Sequence, residues 1–247
     1  MINQIFNEDC LEWMKRIPDG SIDCIITDPP YWTTACKWDT VIDLDRMWGQ
    51  LKRIIKPNGA IVLFWSEPFS SALRMSNIKM YKYDWIWVKS PTGFLNAKKM
   101  PMKSVENIAI FYNKLPTYNP QGIVKIKNKT IRNHSTRINK TSIGLSTHNG
   151  GRLGDSYTQS FTGYPNQTLI FSNEKGLHPT QKPVALIEYL IKTYTNEWET
   201  VLDFTIGSGT TAIACINTNR NYIGFELDKW YFDIAQERIA WKLQNKE

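Results

Sequence analysis

Apolar and polar positions alternate between two periods along the chain. Ile22–Thr27 is short, β-branched and almost continuously apolar, the pattern of a strand buried on both faces of a parallel sheet. Leu44, Trp48, Leu51 and Ile55 then recur at helical spacing, and Pro57-Asn58-Gly59 supplies a stop. Residues 60–65 are apolar again, a helix-like stretch follows near 70–77, and 83–88 and 107–112 read as two further strands. From about 115 to 173 the periodicity fades into Asn, Thr, Ser and Gly, with turn signals at Asn149-Gly150-Gly151 and Gly163-Tyr164-Pro165. Short alternations such as Ile123-Val124-Lys125-Ile126-Lys127 predict small strands there.

Regular structure resumes with a helix opened by Pro183 and faced by Val184, Ile187, Ile191 and Tyr194. A strand over 200–204, a glycine turn, a Thr- and Ala-rich helix and a strand over 222–226 follow. Asp228 begins a last helix, with Tyr231, Ile234, Ala235 and Ile239 inward. With the short run 2–6 this makes seven candidate strands interleaved with helices, so the sequence predicts an α/β fold with a mainly parallel sheet. The irregular stretch reads as an insertion that carries recognition, because long irregular segments in compact domains are usually functional or disordered.

At 247 residues the chain is long enough for one large domain, or one with an insertion. Its 42% hydrophobic and 21% charged residues exclude a disordered or collagen-like chain. No apolar run approaches the roughly 18 residues of a membrane span, and the N-terminus carries no signal-type core, so no membrane partner is expected. Cys10, Cys24, Cys36 and Cys215 are dispersed without C-x-x-C spacing and the three histidines are scattered. No metal site or disulfide framework is expected, and a reducing cytoplasm suits the chain.

Charge changes the picture by its position. Residues 85–154 hold Lys89, Lys98, Lys99, Lys103, Lys114, Lys125, Lys127, Lys129, Arg132, Arg137, Lys140 and Arg152 against a single acid, Glu106. That is +11 in a chain of net +7, so the remainder sums to −4. A basic middle on a near-neutral body points to a polyanion held at one place.

Two segments carry candidate chemistry. After the strand 200–204 comes Ile206-Gly207-Ser208-Gly209-Thr210-Thr211, a glycine turn opening a helix, where the backbone approaches a nucleotide-type ligand closely. Glu226 ends the next strand about 20 residues on, where an acid accepts hydrogen bonds from ribose hydroxyls. The turn lacks the G-K-[ST] ending of a phosphate loop. The second segment is Asp28-Pro29-Pro30-Tyr31 at the carboxyl end of Ile22–Thr27, the end at which open α/β sheets bind ligands. Its prolines lack N–H donors and leave carbonyls unopposed. Carboxylate, bare carbonyl and aromatic face together suit a planar group bearing an NH₂.

These motifs resemble the β-class DNA amino-methyltransferases, in which D-P-P-Y comes first and the S-adenosylmethionine motif last. The resemblance rests on Asp9-Cys10-Leu11, Asp28-Pro29-Pro30-Tyr31, the helix–strand unit over 51–64, His178-Pro179-Thr180-Gln181-Lys182-Pro183, the Gly207 turn and Tyr222-Ile223-Gly224-Phe225-Glu226. It covers 1–114 and 176–247, and the basic insertion falls where this family keeps its target-recognition region. Similar enzymes are frequent in phages and prophages. Two departures stand out. The family usually reads D-P-F-x-G-S-G-T, whereas Asp203-Phe204-Thr205-Ile206 stands before Gly207 here, and Trp32 follows the motif tyrosine. Trp65 and Trp87, at strand ends near the site, read as packing residues.

The resemblance implies a circularly permuted, Rossmann-like, seven-stranded methyltransferase sheet in the order 2–6, 222–226, 200–204, 22–27, 60–65, 107–112, 83–88. The divisions it implies are a catalytic half over 1–114, a target-recognition insertion over 115–175 and a cofactor-binding half over 176–247. It implies site-specific methyl transfer from S-adenosylmethionine to the N6 amine of an adenine flipped out of double-stranded DNA. Asp28, Pro29, Pro30 and Tyr31 would be catalytic. Asp9, Cys10, Asp28, Thr180, Lys182, Asp203, Phe204, Thr205, Gly207, Ser208, Gly209, Thr210 and Glu226 would line the donor site. Lys125, Lys127, Lys129, Arg132, Arg137 and Lys140 would meet DNA. A homodimer and a restriction endonuclease partner are further implications. The alternatives are cytosine-N4 methylation, RNA or protein amide methylation, and a silent DNA-binding module of the same fold. The leading Asp28 favours adenine over cytosine.

Overall fold

The computed structural model describes residues 1–30, 42–133, 156–174 and 181–245. Tyr31, Trp32, Arg137, Lys140, His178 and Thr180 therefore lie outside the described residues, as do the side chains of Lys129 and Arg132. Contacts divide the chain into two compact units, one formed by Met1–Asn119 with Asn166–Glu247, the other by Pro120–Pro165.

The large unit is built on an eight-stranded sheet. Its strands are β1 (Gln4–Phe6), β2 (Ile22–Thr27), β3 (Ile55–Trp65), β4 (Tyr81–Thr92), β5 (Lys103–Phe111), β8 (Thr168–Ile170), β9 (Thr200–Asp203) and β10 (Asn221–Phe225), in the spatial order β1-β10-β9-β2-β3-β5-β4-β8. β5 runs antiparallel to both neighbours and the other pairs are parallel. The first seven positions repeat the order that the resemblance implies.

The strands are apolar along their length because both faces are covered, and the period of two sorts their side chains between two cores. Cys24, Ile26, Val62 and Phe64 face one side, packing with α4 (Val184–Tyr194) and α5 (Thr210–Asn217) through Leu186, Leu190 and Ala214. Ile25, Ile61, Leu63 and Trp65 face the other, with α1 (Cys10–Trp13) and α2 (Leu44–Ile54) through Leu11, Met47 and Leu51. Trp65 is buried in that second core, and Trp87 in the first, where its Nε1 donates to Phe171 O at 2.8 Å. Both tryptophans thus pack the sheet.

Helix starts follow local chemistry. Asp43 caps α2 by accepting from Arg46 N at 3.0 Å, and Asp228 caps α6 (Lys229–Gln244) by accepting from Trp230 N at 2.9 Å. α3 (Phe69–Ser76) follows β3.

Two boundaries differ from expectation. α2 stops at Ile54 and β3 begins at once, so Pro57-Asn58-Gly59 lies inside a strand, where the register with β2 shifts between Ile22 and Cys24. Gly59 is required there, because a Cβ would meet Asp23 O at 2.7 Å. The second difference is β8. Residues 166–174 fall in the span 115–175 read as insertion, yet they belong to the large unit. Leu169 is buried and Ile86 N donates to Gln167 O at 2.7 Å, which fastens β8 to β4.

The small unit is a two-stranded antiparallel sheet of β6 (Val124–Asn133) and β7 (Ser156–Thr162), with Lys125 paired to Phe161. Lys125 and Lys127 are exposed on β6.

Candidate active site

The parallel strands β2, β9 and β10 end at one edge of the sheet, and their last residues open a cavity of about 420 Å³. Asp28, Pro29 and Pro30 line it beside Asp9, Cys10, Lys182, Asp203, Phe204, Thr205, Gly207, Ser208, Thr210 and Glu226. Residues nearly 200 positions apart in sequence meet because β2 and β9 are neighbours, pairing Ile25 with Leu202. Gly209 is the predicted residue that stands behind the cavity wall. It caps α5 with φ 85°, and a Cβ on it would come within 3.1 Å of Ala235 Cβ.

The glycine turn is held by Glu226, whose Oε2 accepts from Gly207 N at 2.9 Å and whose Oε1 accepts from Asp228 N at 2.8 Å. Burial pushes its carboxyl above the usual range against the pull of those two N–H groups. Gly224 keeps Ile206 close, since a Cβ there would stand 2.4 Å from Ile206 Cδ1.

Asp203 fixes the floor. Its Oδ1 accepts from Thr27 Oγ1 at 2.7 Å and Thr205 N at 3.1 Å, and its Oδ2 from Thr211 Oγ1 at 2.5 Å. It is thus fully engaged in structure, and burial raises its carboxyl despite these donors. Thr205 stands where relatives carry phenylalanine, and its one hydroxyl proton points between two acceptors, Thr27 Oγ1 at 2.7 Å and Asp28 O at 3.1 Å. The departure therefore stitches the two motifs together. Phe204 turns into the second core.

Asp9 lines the cavity and also starts a helix. It is the N-cap of α1, its Oδ1 accepting from Glu12 N at 3.0 Å, so half of the carboxylate is committed to the helix. Cys10 lines the cavity as a thiol, pushed up to about 12 by burial and the neighbouring Asp9 charge. Ser208 donates to Gln181 Oε1 at 3.2 Å and is held by Arg238, which donates to its carbonyl at 2.6 Å.

Asp28 has the most unusual surroundings. Its Oδ2 is ion-paired with Lys182, while its Oδ1 is buried with no hydrogen-bond partner among the described residues. Burial pushes its carboxyl up to about 6, with Lys182 pulling down and Glu106 and Asp203 pushing further up. Lys182 also lies 3.2 Å from Glu106 Oε1, and Lys89 lies 2.5 Å from Glu106 Oε2. Burial works to raise Glu106, but Lys182 and Lys89 outweigh it and hold its carboxyl below the usual range. Glu106 and Lys89 were missed as site residues. The available signal was that Glu106 is the lone acid among residues 85–154.

A buried carboxylate with an unused oxygen beside a glycine-turn nucleotide pocket joins an amine-accepting group to a donor pocket in a single cavity. A family profile described as DNA methylase, covering the N6 and N4 enzymes, matches residues 22–237. The chain belongs to the DNA methylase family. This makes it an S-adenosylmethionine-dependent DNA methyltransferase. It is similar to the Type II methyltransferase M.BglII of Bacillus subtilis, 29% identical over 270 residues that cover 97% of this chain and 69% of that one. It also resembles the DNA adenine methyltransferase YhdJ of Escherichia coli, 25% identical over 246 residues, covering 95% and 82%. Among solved structures, the M1.HpyAVI–SAM complex superposes with a TM-score of 0.62 at 29% identity, covering 95% of this chain and 98% of that one.

The cavity suits S-adenosylmethionine on its own chemistry. Glu226 presents carboxylate lone pairs at the carboxyl end of β10, and the turn brings backbone close without a Cβ at Gly207. Among the described residues no cluster of three or more His, Cys, Asp or Glu could hold a metal. No described helix is long and apolar enough to cross a membrane.

Proposed function

We propose that this methyltransferase acts on the N6 amine of adenine within a specific sequence of double-stranded DNA. The observation that carries the reading is Asp28 at the head of its motif, with a buried oxygen that has no partner among the described residues, next to the donor pocket. The printed name of YhdJ, an adenine enzyme, supports the choice of base. Cytosine-N4 methylation uses the same geometry and is the reading the base analysis below tests against.

Bound S-adenosylmethionine supplies an electrophilic methyl group on a sulfonium. The chain's residues do the rest. Asp28 and the Pro29 carbonyl accept the two amino hydrogens, which turns the nitrogen lone pair out of the ring and into the cavity. Positive charge would build on nitrogen as the N–C bond forms and the donor's S–C bond breaks to leave a neutral thioether, and the same oxygens would stabilise it. The surplus proton leaves along the hydrogen bond to Asp28, whose carboxyl near 6 receives it and releases it to water. Tyr31 stacks on the flipped ring, since flipping costs a few kcal/mol that stacking offsets. Glu226 takes the ribose hydroxyls, the other oxygen of Asp9 the donor's adenine amine, the 207–210 turn the methionyl part, and Thr180 its carboxylate, whereas Lys182, expected to share that carboxylate, is engaged by Asp28 and Glu106.

The basic segment 85–154 grips phosphates and the polar residues of 115–173 read base edges. The Type II names of relatives support a restriction endonuclease partner of matching specificity. Sequencing of modified bases in DNA from cells expressing the protein tests the reading: N6-methyladenine at one recurring sequence is expected, and N4-methylcytosine or unmodified DNA overturns it. Replacing Lys125 and Lys127 by Ala should make the log–log dependence of DNA affinity on salt shallower by up to about 2 units, measured by titration at several salt concentrations. An unaltered slope would make these lysines mere surface charge.

A further inference from the structure

Behind the motif carboxylate lies a row of four charges drawn from four parts of the fold: Lys89 of β4, Glu106 of β5, Lys182 just before α4, and Asp28 at the end of β2. Lys182 and Glu106 are 10% and 4% exposed, so the row is largely withdrawn from water. The charges cancel, which is the condition under which so many are tolerated in an interior. Lys182 has two carboxylates in reach, Asp28 and Glu106, whereas Glu106 keeps Lys89 on its other oxygen at 2.5 Å whatever Lys182 does. The ammonium also lies 5.2 Å from the centre of the Phe64 ring, a second favourable neighbour that does not depend on Asp28.

This arrangement has a consequence for the amine acceptor. An ammonium seated on Asp28 draws on the lone pairs that an incoming amino group needs. If Lys182 simply left Asp28, a buried cation would lose a partner, at a cost of several kcal/mol. Glu106 removes that cost, because it is already ionised, already within 3.2 Å, and needs only a rotation of the flexible lysine stem.

We infer that Glu106 is a positioning residue that receives Lys182 when Asp28 takes up the amino group of the target base. The inference rests on the methyl-transfer reading and adds to it a partner exchange. Lys182 rests on Asp28 while the acceptor site is empty and moves onto Glu106 when it fills. Lys89 holds the receiving carboxylate ionised throughout. Among the described residues, the charged groups that act on Asp28 are Lys182, Glu106 and, from β9, Asp203.

The test is Glu106→Gln in the full chain, assayed for methyl transfer to DNA at saturating donor across pH 5 to 8. Two opposite changes are expected. The rate at pH 8 falls on the order of tenfold or more, because Lys182 stays on Asp28. At the same time the acidic limb, which reports ionisation of Asp28 near 6, moves to lower pH, because a like charge beside it has gone. The ratio of the rate at pH 5 to that at pH 8 therefore rises while both rates fall. General damage to the fold lowers both rates alike and leaves the limb in place. Glu106→Asp keeps the charge but retracts it, so it should show both changes in smaller measure, and it serves as the readout if the glutamine variant does not fold. An unmoved limb in active protein, or a rate within twofold of the parent, overturns the inference. A parent protein that methylates no DNA overturns instead the reading on which it rests.

Discussion

Two half-buried carboxylates line one cavity, and they are held in opposite ways. Glu226 has both oxygens engaged by backbone N–H groups, Gly207 N at 2.9 Å and Asp228 N at 2.8 Å, and its own N–H donates to Phe6 O at 3.0 Å. Those donors are fixed by the main chain. Asp28 has one oxygen on a side-chain cation and the other buried without a partner among the described residues. The first carboxylate is finished before any ligand arrives and keeps lone pairs for hydroxyls. The second is left in a neutralised resting state that must be rearranged before use. A group that only binds is anchored by backbone, and a group that takes part in the chemistry is balanced by something that can leave.

The largest effect that could break this contrast is the loss of Asp28. Asp28→Ala should lower methyl transfer by about 10²- to 10³-fold, the scale of removing one stabiliser of transition-state charge. Donor affinity, measured by calorimetry, should stay within a few fold. Glu226→Ala should do the reverse, weakening the donor by about 1.5 to 3 kcal/mol, or roughly 10- to 200-fold, with a near-normal rate once donor is saturating. If the two variants exchange phenotypes, the halves have been assigned the wrong way round.

The smallest effect concerns stability. The folded-state carboxyl of Asp28 is raised from 3.8 to about 6, so keeping it ionised costs stability above about pH 6, and that cost is absent below about pH 4. Asp28→Asn should therefore raise the melting temperature at pH 8, with the gain shrinking as pH falls toward 4. Glu226→Gln should show no such gain, because an amide offers its two backbone donors only one oxygen. A melting temperature that falls for Asp28→Asn at pH 8 would show that Asp28 is as structural as Glu226.

The two carboxylates were equally legible. Both could be named from sequence, because each closes an apolar strand and sits in a short local motif. The glycine turn and its acid are 19 positions apart, and Asp28 follows its strand directly. What stayed hidden depends on pairings across the sheet. Glu106 lies 17 residues from Lys89 and 76 from Lys182, and no local pattern couples them. Strand β8 has three residues and one buried side chain, too little apolar pattern to register, and only its edge pairing with β4 defines it. Pro57-Asn58-Gly59 carries the chemistry of a turn, yet pairing with β2 absorbs it as an irregularity inside β3. Asp9 could be named by resemblance alone, and its place just before α1 makes one of its oxygens an N-cap as well.

The spatial order β1-β10-β9-β2 places the last two strands of the chain between the first two. During synthesis, β1 emerges first and finds no neighbour until Phe225 has been made, and β2 keeps one bare edge until β9 arrives. These are non-local contacts, the kind that slow folding and leave strand edges open to wrong partners. The same delay ties maturation to completion. A nascent or prematurely ended chain can build the wall that carries Asp28, but it lacks the wedge of two strands that closes the sheet and carries the glycine turn. The molecule thus passes from an open half-sheet to a donor-binding one in a single late step, and a fragment ending before β9 is a target for chaperones or proteases rather than a partial enzyme.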